Sequence, residues 1–393
     1  MTSSYVFTSE SVTEGHPDKL CDQISDALVD QYLYQDRLSR VTAECAVSTG
    51  IVFVAVKAAS EAMVDVPHTV REVILKVGYN RGNFNGYTCT ILTNINALPR
   101  LESRLDEMLL DDEALNRLTA QDNVTVFGYA CTHTPALLPL PIWLAHRLVR
   151  QLDKARHSGL DYLTPDGKCQ VAVVFEDHTP RRIHSITLIA TQYTKKPFLE
   201  GLQRDLLELV IQPVFAEEEV RPDEHTLIRI NPEGVVEEGG PLLHTGLTGR
   251  KHSIDTYGGF TRQGSAALSG KDPLRVDRTG AYAARYAAKN IVAAGLATHC
   301  EVQISYAIGL ARPISLRVET FGTGRLPDDE LARRLMNWFD FRPGGIVRRF
   351  GLRDVVARCG GNFYRRLAVY GQIGRLDLAV PWEDVSQADA LRE

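Results

Sequence analysis

The chain has no long apolar run and no cluster of basic residues. No stretch approaches the roughly 18 consecutive apolar residues that a membrane-spanning helix needs. The N-terminus, MTSSYVFTSESVTEGH, also lacks the charged start and apolar core of a signal peptide. With a net charge of −5 and no Lys/Arg run, the sequence argues against a nucleic-acid surface. We therefore expect a cytoplasmic protein with neither a membrane nor a nucleic acid as its partner.

Paired cysteines are also missing. The seven cysteines are scattered and never share the spacing of metal ligands, which predicts reduced, mostly buried thiols. The 393 residues, 44% of them hydrophobic and 24% charged, are typical of a globular protein of two or three domains.

What the chain does have is a glycine-rich basic segment at residues 249–290. Glycines let main-chain N–H groups approach a ligand, and Lys and Arg supply positive charge, so the segment suits a polyphosphate. Acidic residues among these cations fit a divalent metal bound to the phosphates. A Walker A loop is rejected, because five residues separate Gly264 from Gly270 and no Ser or Thr follows Lys271. A solvated glycine-rich loop remains the alternative. The charged residues are Arg250, Lys251, Lys271, Asp272, Arg275 and Asp277.

A second acidic feature lies near the N-terminus, on a predicted helix of about 17 residues that begins at Pro17. Asp18, Asp22 and Asp26 recur every fourth residue and therefore share one helical face. In such a ladder of carboxylates the negative charges repel one another, unless a bound metal or nearby lysines neutralise them. A solvated acidic face is the alternative.

The same order of elements occurs three times along the chain. Alternating apolar residues predict β-hairpins at 41–58, 170–193 and 300–323. A helix is predicted after each, near 61–77, 197–211 and 328–339, and a further strand at 89–96. We predict an α+β fold of three similar domains, each a mixed β-sheet with helices on one face. The predicted domains span 1–100, 113–230 and 231–375, with a peripheral tail at 376–393.

Several motifs resemble those of the S-adenosylmethionine synthetase (methionine adenosyltransferase) family, over roughly residues 5–375. The matching motifs are GHPDK at 15–19, PDGK at 165–168, GLTGRKH at 246–252, DTYGG at 255–259, SGKDP at 269–273 and VDR at 276–278. The resemblance implies three domains about a pseudo-threefold axis. It also implies a homodimer, or a dimer of dimers, joined through sheet faces with active sites between subunits.

The resemblance further implies a reaction and its residues. A thioether sulfur attacks C5′ of ATP, and the triphosphate leaves and is hydrolysed to diphosphate and phosphate. The default acceptor is L-methionine, with Mg²⁺ (two ions) and K⁺ as cofactors. The implied catalytic residues are His16, Asp122, Lys168, Arg250, Lys251 and Lys271. Implied nucleotide contacts also include Lys19, Asp166 and Arg275, and implied metal ligands are Asp18 and Asp277 for Mg²⁺ and Glu44 for K⁺.

Departures from the family pattern collect at the methionine side. Lys57 replaces a glutamate, Leu98 a glutamine, and His244 the aspartate that pairs with the methionine ammonium. Of the family's glycine-rich mobile loop only the aspartate survives, as Asp122. The preceding residues, 101–118, have apolar residues at helical spacing and predict an ordered, acidic helical lid.

These departures leave three interpretations open. Methionine is still used through other contacts, or the acceptor lacks the ammonium or carries an extra carboxylate. In the third, the chain is an inactive paralogue that serves as a partner subunit.

Overall fold

The structure of the chain is a computed structural model that describes residues 4–98 and 105–392. Each predicted hairpin is present and forms part of a separate β-sheet. The hairpins are β2 (Arg40–Ser48) with β3 (Ile51–Ala59), β6 (Leu163–Glu176) with β7 (Thr179–Gln192), and β11 (His299–Tyr306) with β12 (Ser315–Glu319).

Each hairpin receives an additional antiparallel strand from another part of the chain. The N-terminal strand β1 (Ser4–Val12) pairs with β6, β5 (Val124–Cys131) pairs with β11, and β10 (Gly246–Leu247) pairs with β2. The three units thus exchange strands in a cycle, the first giving to the second, the second to the third, and the third to the first. Parallel strands extend two of the sheets: β4 (Thr90–Ala97) pairs with β3, whereas β8 (Leu227–Ile230) and β9 (Val236–Glu237) pair with β7.

A long helix follows each donated strand but packs on a different sheet, that of its own unit: the first helix on β2, the second on β6, and the third on β5 and β11. These helices are α1 (Pro17–Gln35), α4 (Leu140–Ser158) and α8 (Val276–Ala293). The contact of α8 with β5 is so close that a Cβ at Gly128 would lie 2.0 Å from the main chain of Ala284. The predicted α+β class with pseudo-threefold arrangement is confirmed.

The remaining helices are shorter. They are α2 (Val66–Val77), α3 (Asp112–Leu115), α5 (Leu199–Leu206), α6 (Gln212–Ala216), α7 (His252–Asp255), α9 (Asp328–Trp338), α10 (Pro343–Phe350), α11 (Val355–Arg358) and α12 (Tyr364–Leu367). Among the described helices, none combines the length and the apolar character needed to cross a membrane. All seven cysteines are free and six are buried, as predicted.

The prediction of a helical lid is wrong for the part that the structure describes; residues 101–104 lie outside it. Only α3, four residues long, is helical between 105 and 118. Instead, Glu107 is fully buried and forms a 2.7 Å ion pair with Arg353, which also donates to the carbonyl oxygen of Ser39. Ser39 follows the C-terminal end of α1, so this segment is anchored about 28 Å, the length of a 19-residue helix, from the end at which α1 begins.

The prediction that the C-terminal tail is peripheral is also wrong. Trp382 is fully buried and stacks on Tyr282 of α8, with ring centroids 3.7 Å apart. Glu383 forms ion pairs with Arg285 at 2.8 Å and Lys289 at 2.7 Å. Asp377 pairs with Arg150, and Leu391 is buried as well, so the tail is anchored at scattered positions that leave no periodic pattern in the sequence.

Candidate active site

The acidic face of α1 is the frame of the site. Asp18, Asp22 and Asp26 are buried, and Asp30 continues the same spacing. Each carboxylate accepts a hydrogen bond from the main chain of a distant loop, so the face is neither solvated nor left to repel itself. The donors are the N–H groups of Leu247 (3.0 Å), Gly249 (2.7 Å), Gly270 (2.8 Å) and Tyr364 (3.0 Å), in that order.

Gly270 shows why this loop needs glycine. Its φ of +80° lies in the left-handed region, and a Cβ there would lie 2.0 Å from the carbonyl oxygen of Ala43. Its N–H donates to Asp26, and its own carbonyl accepts from the N–H of Ala43 at 2.8 Å. The loop is therefore held between α1 and β2.

Buried cations neutralise the ladder. Lys19 is fully buried and contacts Asp22 at 2.9 Å and Asp255 at 2.5 Å. Although burial alone lowers the pKa of the Lys19 ammonium, the two carboxylates outweigh it and hold the pKa above its usual value. Arg278 forms a 2.6 Å ion pair with Asp26, also fully buried. In this structure Lys19 faces the ladder and not the surface.

At the start of α1, His16 and Asp18 lie beside two cations of the loop. Asp18 Oδ1 is 2.8 Å from Arg250 Nε, and Asp18 Oδ2 is 3.9 Å from Lys251 Nζ. His16 Nδ1 accepts the N–H of Asp18 at 3.2 Å and so caps the helix. Because Nδ1 accepts, the proton of the neutral ring lies on Nε2.

The charge of this region keeps His16 neutral. Its pKa is lowered to about 3, first by burial and then by the positive charges of Lys251, His244 and Lys168. These three side chains therefore lie near His16, and its Nε2–H is a neutral hydrogen-bond donor at pH 7.

Asp166 joins the same region through the turn that contains Gly240. Its Oδ2 accepts the Gly240 N–H at 2.7 Å, and burial is the main cause of its raised pKa. The hydroxyl of Tyr79 donates to the carbonyl of Gly15 at 2.6 Å and fixes the turn before His16. We call the set His16, Asp18, Asp166, Lys168, Arg250 and Lys251 the α1 cluster.

A second group of predicted residues lies elsewhere. Lys271 Nζ is 3.2 Å from Asp277 Oδ1, and Arg275 donates to the hydroxyl of Thr42 at 3.3 Å. Glu44 and Lys271 share a 170 Å³ pocket. Burial is the largest influence on the Lys271 ammonium and lowers its pKa. We call Glu44, Lys271, Arg275 and Asp277 the sheet-edge cluster.

The β2–β3–β4 sheet separates Glu44 from α1. The residues next to Glu44, Ala43 and Cys45, are buried beneath α1, so Glu44 points to the outer face by the alternation of a strand. Lys57 is exposed on β3 opposite Thr42, and Leu98 follows β4, its N–H donating to the carbonyl of Ala58.

Asp122 lies on the short connection before β5, and its carboxylate accepts the N–H of Asn123 at 2.8 Å. Among residues 4–98 and 105–392, no hydrogen bond or ion pair joins it to either cluster.

Comparison with known families agrees with this division into three units. Models of the N-terminal, central and C-terminal domains of S-adenosylmethionine synthetase match residues 4–99, 117–236 and 238–384. The chain belongs to the S-adenosylmethionine synthetase family. It is therefore an enzyme of the adenosyltransferase class, which acts on ATP.

Full-length relatives support the assignment. The S-adenosylmethionine synthase of Synechococcus sp. (strain JA-2-3B'a(2-13)) is 48% identical over 404 residues, which cover 99% of this chain and 97% of the relative. That of Microcystis aeruginosa (strain NIES-843 / IAM M-2473) is 47% identical over 410 residues, covering 100% and 98%.

The three positions expected to depart from the S-adenosylmethionine synthetase pattern lie beside the two clusters. His244 is exposed and near enough to His16 and Asp166 to affect both electrostatically, so it lies next to the α1 cluster. Lys57 and Leu98 lie on the outer face, beside the sheet-edge cluster. One chain alone does not bring these three side chains together.

Sequence reasoning missed several residues that build the site. Asp30 was detectable, because it continues the four-residue spacing of the ladder. Asp255 lies within a matched motif, but nothing in its spacing indicates Lys19 as its partner. Tyr79 gives no signal, because it is 64 residues from Gly15.

Proposed function

We propose that this chain transfers the adenosyl group of ATP to the sulfur of L-methionine. The observation that carries the proposal is the α1 cluster, in which Lys168, Arg250 and Lys251 lie around a neutral His16 and a buried Asp18. Such a group of fixed cations suits a triphosphate. The free cysteines fit a reducing compartment, which for this enzyme we take to be the cytoplasm.

In the proposed reaction the sulfur lone pair forms the bond to C5′ while the C5′–O bond breaks. The electron pair of that bond goes to the departing triphosphate, so no protein nucleophile is required. Lys168, Arg250 and Lys251 stabilise the negative charge that develops there, and they are fixed before the reaction begins. His16 Nε2–H donates to an oxygen of the leaving group. Hydrolysis of the triphosphate to diphosphate and phosphate then completes the cycle.

The residues of the two clusters fit the metals that the family pattern implies. Oxygen ligands suit Mg²⁺, which is usually held by one or two carboxylates together with phosphates. Of the two Asp18 oxygens, Oδ1 is engaged by the Leu247 N–H and Arg250, whereas Oδ2 has a cation only at 3.9 Å. Asp18 and Asp277 would hold two Mg²⁺ ions, and Glu44 a K⁺ ion. When bound, these cations offset the charge of the triphosphate.

For Lys19 we propose a role other than the direct contact with the nucleotide that the family resemblance implies. Its ammonium lies between Asp22 and Asp255, and Asp22 in turn accepts the N–H of Gly249. We propose that Lys19 positions the residues next to Gly249, which include Arg250 and Lys251.

The complete site is proposed to form between two copies of the chain. The outer face of the β2–β3–β4 sheet is apolar and exposed, with Ile51, Phe53 and Leu92 exposed by 50%, 44% and 49%. An exposed apolar face next to charged residues is typical of an interface. A second copy would bring its sheet-edge cluster, together with Lys57, Leu98 and Asp122, to the α1 cluster of the first. We therefore propose that the protein assembles as a homodimer or as a dimer of dimers.

A different acceptor is the second candidate, and His244 favours it. Where the family pattern has the aspartate that pairs with the methionine ammonium, this chain has His244, which offers no carboxylate. Lys57 reverses the charge of another carboxylate position. Both changes disfavour an ammonium, so a thioether that lacks it, or that has an additional carboxylate, is the alternative.

Mass spectrometry of the products tests both candidates. The purified protein is incubated with ATP, Mg²⁺ and K⁺, and with either methionine or a panel of deaminated and acidic thioethers. S-adenosylmethionine as the main product supports the first candidate, and another adenosyl sulfonium ion supports the second. No product from any acceptor, with ATP still bound, contradicts both and indicates an inactive partner subunit. Arg250→Ala should abolish product, whereas Arg229→Ala, an exposed arginine on β8, should not.

A further inference from the structure

At one end of the β5–β11–β12 sheet, three metal-ligating side chains lie together. Cys131 and His299 are direct partners in the antiparallel register of β5 and β11. His133 lies two residues after Cys131, in the turn that follows β5. One ligand atom from each of the three residues lies within 4.8 Å of the other two.

The hydrogen bonds of His133 leave one nitrogen available. Its Nε2 lies 2.9 Å from the main-chain carbonyl oxygen of His178. A carbonyl only accepts, so Nε2 carries the proton and Nδ1 keeps its lone pair. Nδ1 is buried and has no hydrogen-bond partner. A histidine that donates one ring N–H to a carbonyl and offers the other nitrogen is arranged as metal-bound histidines are.

His299 is oriented in a similar way. Its Nδ1 lies 2.9 Å from the hydroxyl of Tyr129, which leaves Nε2 as the available nitrogen. Burial lowers the pKa of both His133 and His299 to about 4, and His178 and His299 add repulsion. Both rings are therefore neutral at pH 7, and protons do not compete for their lone pairs.

Cys131 is the third ligand candidate. Burial raises the pKa of its thiol to about 12, but the main-chain N–H of His133 donates to the sulfur and favours the thiolate. A bound cation would lower that pKa further, since a coordinating thiol is deprotonated.

A cavity of 770 Å³ opens beside the cluster. Its wall includes Tyr129, His133, Phe260 and His299, with His178 also on the lining. His178 lies in the turn between β6 and β7 with a φ of +66°, a conformation that non-glycine residues seldom adopt. The cavity leaves space next to the two histidines for a fourth ligand such as water.

We propose that Cys131 Sγ, His133 Nδ1 and His299 Nε2 bind a transition-metal ion of the Zn²⁺ type, with a fourth position open to the cavity. Thiolate and imidazole are ligands that Zn²⁺ prefers, whereas Mg²⁺ requires oxygen. Binding transfers the thiol proton to solvent and involves no redox change. The site is independent of the adenosyl transfer, because none of its residues belongs to the α1 or the sheet-edge cluster.

Titration of the metal-free, full-length protein with Co²⁺ and then with Zn²⁺ tests the site. We expect one Co²⁺ per chain, a near-ultraviolet absorption from the cobalt–thiolate bond, and displacement by Zn²⁺ but not by excess Mg²⁺. Cys131→Ser should remove the absorption. His133→Gln and His299→Gln should each weaken Zn²⁺ binding at least about tenfold.

Cys300→Ala is the matched control, because Cys300 is equally buried but is the next residue on the strand and faces the opposite side. It should retain both the absorption and the affinity. The proposal is overturned if no thiolate absorption appears, or if Cys131→Ser binds Co²⁺ as the unaltered chain does. Thermal melts of each variant show whether it is folded. Since the readout is binding, failure of the adenosyl transfer assay would leave this result unaffected.

Discussion

The α1 cluster and the sheet-edge cluster differ in how the chain supports them. In the α1 cluster, buried carboxylates on one helix hold the loop that contains Arg250 and Lys251 through main-chain hydrogen bonds. In the sheet-edge cluster, Glu44 is exposed on the outer side of a sheet, next to apolar side chains that nothing in the chain covers among the described residues, whereas Lys271 and Asp277 form a largely buried pair at its edge. One half of the site is thus preorganised by a single chain, and the other half borders an uncovered surface.

This difference indicates that the α1 cluster is tied to the stability of one chain and the sheet-edge cluster to the assembly of two. Changes to the buried supports of the α1 cluster should destabilise the protein, whereas changes to the sheet-edge cluster should affect activity in a way that depends on a second copy.

The largest effect is expected from Asp26→Ala. This change leaves Arg278 buried without its carboxylate and the Gly270 N–H without its acceptor. Loss of one partner of a buried ion pair costs about 3–5 kcal/mol. Urea denaturation followed by circular dichroism measures the loss. Asp223→Ala removes the partner of Arg182 in an exposed pair and should change little; equal losses in the two variants would contradict a supporting role for the ladder.

Mixing two inactive variants tests the composite site. Lys251→Ala and Lys271→Ala should each lower kcat about 10²–10³-fold, since each removes a cation that stabilises the leaving group. In heterodimers formed by co-expression, one of the two sites would be intact. Random pairing of two copies then restores about one quarter of the activity. As a control, Arg250→Ala with Lys251→Ala, both in the α1 cluster, should restore none. Restoration by the control pair, or none by the test pair, would be evidence against a shared site.

A smaller effect concerns the pH dependence of stability at the α1 cluster. The pKa of His16 is about 3 in the folded chain and about 6.5 when it is unfolded. The unfolded chain therefore binds more protons between these values, and stability is lost as the pH falls below 6.5. At pH 5 the loss from this group is about 2 kcal/mol.

His16→Asn should remove that loss, because asparagine also caps a helix but does not titrate. Urea denaturation at pH 7 and pH 5 measures the difference. His68→Asn is the control, since His68 is 68% exposed in its side chain and should leave the pH dependence as it is. An unchanged pH dependence in His16→Asn would show that the ring is not held neutral.

The smallest effect is a change of acceptor preference. Lys57→Glu should raise kcat/KM for methionine relative to a deaminated thioether about tenfold, because a repulsive charge near the ammonium becomes attractive. Lys154→Glu reverses an exposed lysine of α4, outside both clusters, and should leave the ratio unchanged. If both variants give the ratio of the unaltered chain, Lys57 does not contact the acceptor.

Much of the fold could be predicted from local pattern, and the rest depends on distant partners. The alternation of β2 and β3 predicts their hairpin, and the spacing of the α1 aspartates predicts a shared face. The exchange of strands could not be predicted, because β1 pairs with β6 more than 150 residues later and β10 has only two residues. Long-range pairing leaves no periodic signal along the chain.

The candidate site shows the same limit. The motifs identified the cations as candidate site residues. However, neither the charge nor the spacing of these residues shows which side of the sheet each one occupies. That assignment depends on the burial of Ala43 and Cys45 beneath α1. Lys19 illustrates the limit best, since a lysine within a conspicuous motif is fully buried between Asp22 and Asp255.

The cyclic exchange of strands also determines when the protein can fold during its synthesis. The sheet around β2 is complete only when residues 246–247 have left the ribosome, well after its own hairpin. The first strand, β1, has no partner until β6 has been made. The last carboxylate of the α1 ladder, Asp30, likewise accepts a hydrogen bond from the N–H of Tyr364, which is synthesised near the end of the chain. Folding on the ribosome should therefore remain incomplete until almost the whole chain has emerged, and nascent chains stalled after any one hairpin should stay sensitive to protease.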